Sequence, residues 1–154
     1  MRDPVTGFEY PGEWAKRCPT PLLLPLVEQG LALLTASGTV LRRGYTTGTT
    51  AASACKAAVL SLSGTTLSSV SVHLPCGLEV EVPVEAYAGR ASCKKYAGDY
   101  PSDVTAGIII RAEATPAEEG IQLLPGEGIG RFTAIPPGTI PVNRPSVPHP
   151  LTAS

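Results

Sequence analysis

Apolar residues change their spacing several times along this chain of 154 residues. Residues 1–21 show little periodicity and are punctuated by Pro4, Pro11, Pro19 and Pro21, which predicts an irregular arm lying on another surface. From Pro25 to Gly38, Leu26, Leu33 and Leu34 fit a helical repeat; Pro25 suits a first turn and Gly38 a stop, so a short helix is predicted over 25–38. Between 49 and 63, Ala52, Cys55, Val59 and Leu62 fall on one helical face, closed by Gly64. Ala51, Ala52, Ala54, Ala57 and Ala58 would let that helix lie close against a sheet.

The period then becomes two. "VSVHLP" and "LEVEVPV" alternate apolar and polar residues around Cys76 and Gly77, the pattern of a hairpin, and Pro83 marks the second strand as an edge or a bulge. "RASCKKYA" (90–97), "GIIIRAEAT" (107–115) and "GIQLLP" (120–125) are further strand candidates. The expected class is α+β: one principal small-residue helix packed on a mainly antiparallel or mixed sheet. From Phe132 onward, Pro136, Pro137, Pro141, Pro145, Pro148 and Pro150 exclude helix and central strand. The expected organisation is an arm and short helix over 1–40, an α+β domain over 41–134, and a Pro-rich tail or linker over 135–154.

Composition narrows the class. A chain of this length that is 43% hydrophobic can bury roughly 70% of its unfolded surface, enough for one globular domain. Its formal charge of −1 offers no overall attraction to nucleic acid or a membrane, so a charged partner must be met locally. Cys18, Cys55, Cys76 and Cys93 are scattered without a C-x-x-C pair, and His73 and His149 are the only histidines, which argues against zinc. The N-terminus lacks a signal pattern, and "PLLLPLVEQGLALL" is short and interrupted by Pro25, Glu28 and Gln29, so a cytoplasmic protein with reduced thiols is expected.

Three stretches carry candidate chemistry. In "GYTTGTTAASACKAA" (44–58), Thr46, Thr47, Gly48 and Thr49 offer hydroxyl caps, free N–H groups and the positive end of a helix dipole, a mouth suited to an anion. The plainer reading is that one threonine caps the helix. The order G-x-x-x-x-G-K-[ST] is absent, and Lys56 falls roughly 10 Å beyond the mouth, so this is not a P-loop. Arg42 and Arg43 precede it, and adjacent strand residues face opposite ways, so one of the two can serve. In "KKYAGDYPSDVTAG" (94–107), Asp99 and Asp103 suit a general base or an ammonium partner, though Asp in such loops more often bonds local backbone. In "LLPGEGIGRF" (123–132), Gly126, Gly128 and Gly130 admit a closely approaching ligand or backbone, flanked by Glu127 and Arg131. Pro136 and Pro137 arrive before any helix, which excludes a Rossmann site. His73 reads as a surface strand residue, and Phe8 and Trp14 as anchors of the arm.

Taken in order, "LRRGYTTGTTAASACKAA", "KKYAGDYPSDVTAG" and "GEGIGRF", followed by "PVNRPSVPHP", resemble the CbiD family, the cobalt-precorrin-5B C1-methyltransferases of oxygen-independent cobalamin synthesis. The resemblance covers 41–150, with an arm similar to that of archaeal members. It implies S-adenosylmethionine as methyl donor and a cobalt-containing, carboxylate-rich precorrin as substrate; the substrate brings its own metal. It further implies substrate contacts at Arg43, Thr46, Thr47, Gly48, Thr49, Lys94 and Arg131. Asp99 and Asp103 would be the catalytic pair, and Gly126, Glu127, Gly128 and Gly130 the cofactor segment. With a substrate carbon as nucleophile, the enzyme must mainly align the reactants and exclude water. Thr50 stands where many members have cysteine. Members are typically about twice as long, so the alternative is a non-catalytic tetrapyrrole- or anion-binding fragment, or a short paralogue that needs a partner; a structural subunit is a third. A half-sized fold is also expected to form a homo-oligomer over its uncovered apolar surface.

Overall fold

The computed structural model describes residues 1–130, so Arg131 and the Pro-rich stretch lie outside the described residues. The larger core lies between a four-stranded antiparallel sheet and one long helix. The strands run in the order β3 (Leu67–His73), β4 (Glu79–Tyr87), β5 (Arg90–Lys94) and β6 (Ile109–Glu113). β4 shows the cause most clearly: Val80, Val82, Val84 and Ala86 are buried, while Glu79, Glu81, Pro83, Glu85 and Tyr87 are exposed. Strand geometry turns that alternation into a wet face and a core face.

The predicted hairpin is present, with His73 opposite Glu79 and Leu74 N–H donating to Leu78 O at 2.8 Å. Gly77 supplies the positive φ of 84° in its turn. Pro83 sits opposite Ser69 beside a register shift, a bulge as expected, and outside the stretch where β4 pairs with β5.

Helix α3 (Thr47–Leu60) touches all four strands, but not through the face that its apolar spacing predicts. Its buried residues are Thr50, Ser53, Ala54, Ala57 and Ala58; Ala52 and Cys55 are exposed, Val59 is 56% exposed and Leu62 39%. Small side chains bring the helix axis close to the sheet, and the hydroxyls are satisfied within the helix. Thr50 Oγ1 donates to Thr46 O at 2.9 Å and Ser53 Oγ to Thr49 O at 2.8 Å. Lys56 leans away from the mouth to donate to Ser71 O at 2.7 Å.

A second core joins Tyr10, Cys18, Val27, Ala32, Leu34 and Val40. The predicted helix over 25–38 is corrected here: α1 (Gly12–Lys16) and a 3-10 turn (Pro21–Leu23) precede α2 (Leu24–Glu28), which stops before Gly30 at φ 76°. The chain then forms a small hairpin, β1 (Ala32–Leu34) against β2 (Val40–Arg42), closed by Thr35 N–H on Thr39 O and by Gly38 at φ 87°. Ala32 and Leu34 are buried with Leu33 between them half-buried, a period-two pattern under the apparent helical one. Phe8, Tyr10 and Trp14 stack with centroids 5.1–6.1 Å apart and hold the arm.

Met1–Thr115 form one compact unit, and the chain from Pro116 is separate from it. Residues 116–130 carry no strand or helix, so the strand expected over 120–125 is absent: no partner strand among the described residues supplies its backbone hydrogen bonds. None of the helices in the described residues is long and apolar enough to cross a membrane.

Candidate functional site

The site begins where β2 runs into the mouth of α3. Arg43 bridges to Gly98, Tyr45 N–H donates to Tyr96 O at 2.8 Å, and Asp99 N–H donates to Arg42 O at 3.1 Å. This crossing explains two glycines: a Cβ on Gly44 would lie 2.5 Å from Tyr96 O, and one on Gly98 would strike Arg42 O. Backbone therefore lies on backbone, fixing the helix mouth against the loop that follows β5.

Thr46 caps α3, its hydroxyl accepting from Thr49 N–H at 3.0 Å. No acid stands in the first turn, and the N–H groups of Thr47 and Gly48 have no partner among the described residues. The positive end of the helix is thus left open to solvent. In front of it lies an open groove of about 550 Å³ lined by, among others, Arg43, Thr46, Thr47, Lys95, Tyr100 and Asp103.

Two ion pairs shape the electrostatics. Lys95, only 5% exposed, pairs with Asp103 Oδ2, while Asp103 Oδ1 accepts from Thr105 N–H at 2.9 Å and Thr105 Oγ1 at 2.6 Å. The Lys95 bond, then the Thr105 hydroxyl and amide, hold the Asp103 carboxyl down to about 2. Arg43 Nη2 pairs with buried Asp3 Oδ2 at 2.5 Å, and Arg43 Nε is buried without a partner among the described residues. Burial pushes Asp3 upward, but Thr6 Oγ1, Val5 N–H and Arg43 together bring it below the usual carboxylate range. Tyr45 is pushed up by its burial and by Tyr96, whose ring meets it edge-on with centroids 6.0 Å apart.

A family model for CbiD matches residues 34–148. The chain belongs to the CbiD family. Among its relatives, the cobalt-precorrin-5B C(1)-methyltransferase of Methanoregula boonei is 63% identical over 132 residues, covering 86% of this chain and 39% of its own length. That of Methanoculleus marisnigri is 55% identical over 152 residues, covering 96% and 45%. A crystal structure of the cobalamin biosynthesis protein CbiD from Archaeoglobus fulgidus superposes with a TM-score of 0.62 at 43% identity, over 73% of this chain and 38% of that one. The chain thus spans less than half the length of these CbiD relatives, and its α+β class, distinct from a Rossmann fold, is the one the superposed structure shares.

Of the residues expected at the site of this CbiD-family chain, Arg43, Thr46, Thr47 and Asp103 meet at the groove. Gly48 and Thr49 lie in the first turn of α3 but do not line it, because the helix carries their side-chain positions away. Asp99 does not line it either: its Oδ2 accepts from Arg42 N–H at 2.8 Å, which stitches the loop to β2. Lys94 is exposed on the far side of β5, and its neighbour Lys95 takes the place on the groove. The signal for that was present, since Ala91, Cys93 and Lys95 follow one another at period two on the face α3 covers. Gly126, Glu127, Gly128 and Gly130 fall in the separate segment after Pro116, and Arg131 lies outside the described residues.

Proposed function

We propose that this chain takes part in S-adenosylmethionine-dependent methylation of C1 of cobalt-precorrin-5B, in the cytoplasm, with its four cysteines free. The observation that carries the reading is the family match combined with the groove at the mouth of α3. An open helix N-terminus, an arginine and a buried lysine converge there on one side of the fold. That set of donors suits the acetate and propionate groups on the rim of a precorrin ring. Arg43 and the Thr46–Thr47 mouth hold the substrate's carboxylates, and Tyr45 and Tyr100 give the ring apolar surface to rest on.

The methyl donor, when bound, supplies a sulfonium methyl to the ring carbon. Gly126, Glu127, Gly128 and Gly130 are proposed to receive it. Gly128 needs its glycine for a φ of 78°, but a Cβ on Gly126 or Gly130 would meet nothing within 4 Å among the described residues, so neither their packing nor φ accounts for those two. Such bare backbone fits the close approach of an outside group, with Glu127 placed to accept from hydroxyls or an ammonium. No side-chain nucleophile is required, and the chain's part is to orient the ring and keep water out.

The test is mass-detected methyl transfer from S-adenosylmethionine to cobalt-precorrin-5B, alone and with a full-length relative in parallel. A corrinoid heavier by one methyl group supports the proposal. A second reading, a tetrapyrrole-binding module without catalysis, is favoured by the groove's lining coming wholly from Met1–Thr115. It predicts binding without product. Homo-oligomer formation belongs to the same proposal, and sedimentation showing only monomer at high concentration would count against it.

A further inference from the structure

Lys95 stands out as a charged group that the fold does not need in order to hold its loop. An ammonium that is 5% exposed is costly to bury without a partner, and Asp103 is the carboxylate that pairs with it. Yet the loop from Tyr96 to Gly107 is already fixed at several points. Lys95 N–H donates to Ile108 O at 2.8 Å and Gly107 N–H to Lys95 O at 3.0 Å. Asp99 holds Arg42 through both its amide and its carboxylate. Asp103 Oδ1 closes its own turn on Thr105 without help from the lysine.

Charge balance on the groove points outward. Arg43 and Lys95 line it, each paired with one acid, Asp3 and Asp103, so the open N-terminus of α3 is what leaves the groove positive. An ammonium has three donors, and Arg43 keeps a buried Nε without a partner among the described residues. Asp103 is also the more exposed member of its pair, with a side chain 26% exposed against 5% for Lys95, so the pair opens by moving the carboxylate and not the lysine.

Resting on the reading proposed above, the geometry points to Lys95 as a specificity-determining residue that grips one carboxylate of a polycarboxylate ring, with Asp103 as a built-in stand-in displaced by it. In the absence of ligand the stand-in keeps a buried lysine neutralised. With ligand, the substrate's carboxylate takes over Lys95 Nζ from Asp103 Oδ2, while Oδ1 keeps its two bonds from Thr105 and the loop stays fixed. A ring whose carboxylates are missing gains nothing from the exchange, which gives the groove its selectivity.

The test uses the 154-residue chain and uroporphyrin, a porphyrin with eight carboxylates, followed by its fluorescence anisotropy. Lys95→Met should weaken binding at least tenfold, Lys95→Arg should restore it to within about threefold, and Asp103→Asn should tighten it, because the competing carboxylate is gone. A purely structural pair predicts instead that Lys95→Met and Asp103→Asn weaken binding together, and that result overturns the inference. Should either variant melt below the assay temperature, amide-shift mapping of uroporphyrin on the parent chain decides. Shifts centred on Thr46, Thr47, Lys95 and Thr105 support the inference, and shifts centred elsewhere overturn it. Lys95-dependent binding without methyl transfer would sink the proposed reaction and leave this inference standing. Methyl transfer with Michaelis constant unchanged by Lys95→Met would sink the inference alone.

Discussion

Gly44 and Gly48 stand four residues apart in one short motif, and replacing each with alanine should move stability in opposite directions. At Gly44 the new Cβ would lie 2.5 Å from Tyr96 O and close to Ala97 backbone, so no flexible side chain can give way. Backbone must separate instead, an overpacking penalty of about 1–3 kcal/mol. The Tyr45–Tyr96 hydrogen bond, now 2.8 Å, is lost with it, adding about 1 kcal/mol. Together these give about 2–4 kcal/mol, out of a total of about 6–15 kcal/mol for a unit the size of Met1–Thr115. At about 4 °C per kcal/mol, the melting temperature should fall by about 8–16 °C. At Gly48 the nearest atom to a new Cβ is Thr46 Oγ1 at 3.6 Å, an ordinary contact, and the residue is helical. Alanine there should be neutral or stabilising by up to about 1 kcal/mol. Circular dichroism melts of the parent and both variants read this directly. A Gly44→Ala chain melting within 2 °C of the parent, or a Gly48→Ala chain losing as much as it, would refute the crossing of backbones on which the site is built.

Thr46→Ala removes the cap of α3 and should lower stability in urea by about 1 kcal/mol, whereas Thr47→Ala, exposed one residue on, should change it by less than about 0.5 kcal/mol. Ser61 Oγ accepts from buried Gly89 N–H at 3.1 Å, so Ser61→Ala should lose about 1–3 kcal/mol in the same assay. Asp103 ionises at about 2 when folded and at its ordinary value near 3.8 when unfolded, so its stabilisation is complete above about pH 4 and disappears as pH falls through 2. The difference in urea midpoint between parent and Asp103→Asn should shrink across that window; a difference that stays constant from pH 7 to 2 contradicts the pairing. Cys55 and Cys76 are exposed while Cys18 and Cys93 are buried, with burial pushing the Cys93 thiol up, so a thiol reagent should titrate two cysteines quickly and two only on unfolding.

The strands of the sheet could be read from the sequence because one face meets water and the other the core, which writes the period of two directly into residues 79–87. The hairpin of β1 and β2 was hidden because Leu33 and Leu34 satisfy a helical and a strand pattern alike over so short a run, and Gly30 and Gly38 decide between them only through their positive φ. Helix α3 was legible in extent and cap, but its buried face was not. Hydrophobicity ranks Val59 and Leu62 above Thr50 and Ser53, whereas close approach to a sheet selects for size, and hydroxyls satisfied inside the helix behave as small residues. At the site, Arg43, Thr46, Thr47 and Asp103 were visible as chemistry. Their meeting with Lys95 depended on Gly44 and Gly98 letting two backbones cross, a contact between residues more than fifty apart in sequence that local pattern does not encode.

The central claim is that the groove at the mouth of α3 receives the precorrin for methylation. Its most direct test is the rate of methyl transfer to cobalt-precorrin-5B, followed by mass, for the parent chain and for Arg43→Gln, with a melt to confirm that both are folded. The account predicts product from the parent and a Michaelis constant for the precorrin raised at least tenfold in Arg43→Gln. Equal turnover and an equal Michaelis constant in the two proteins would contradict it.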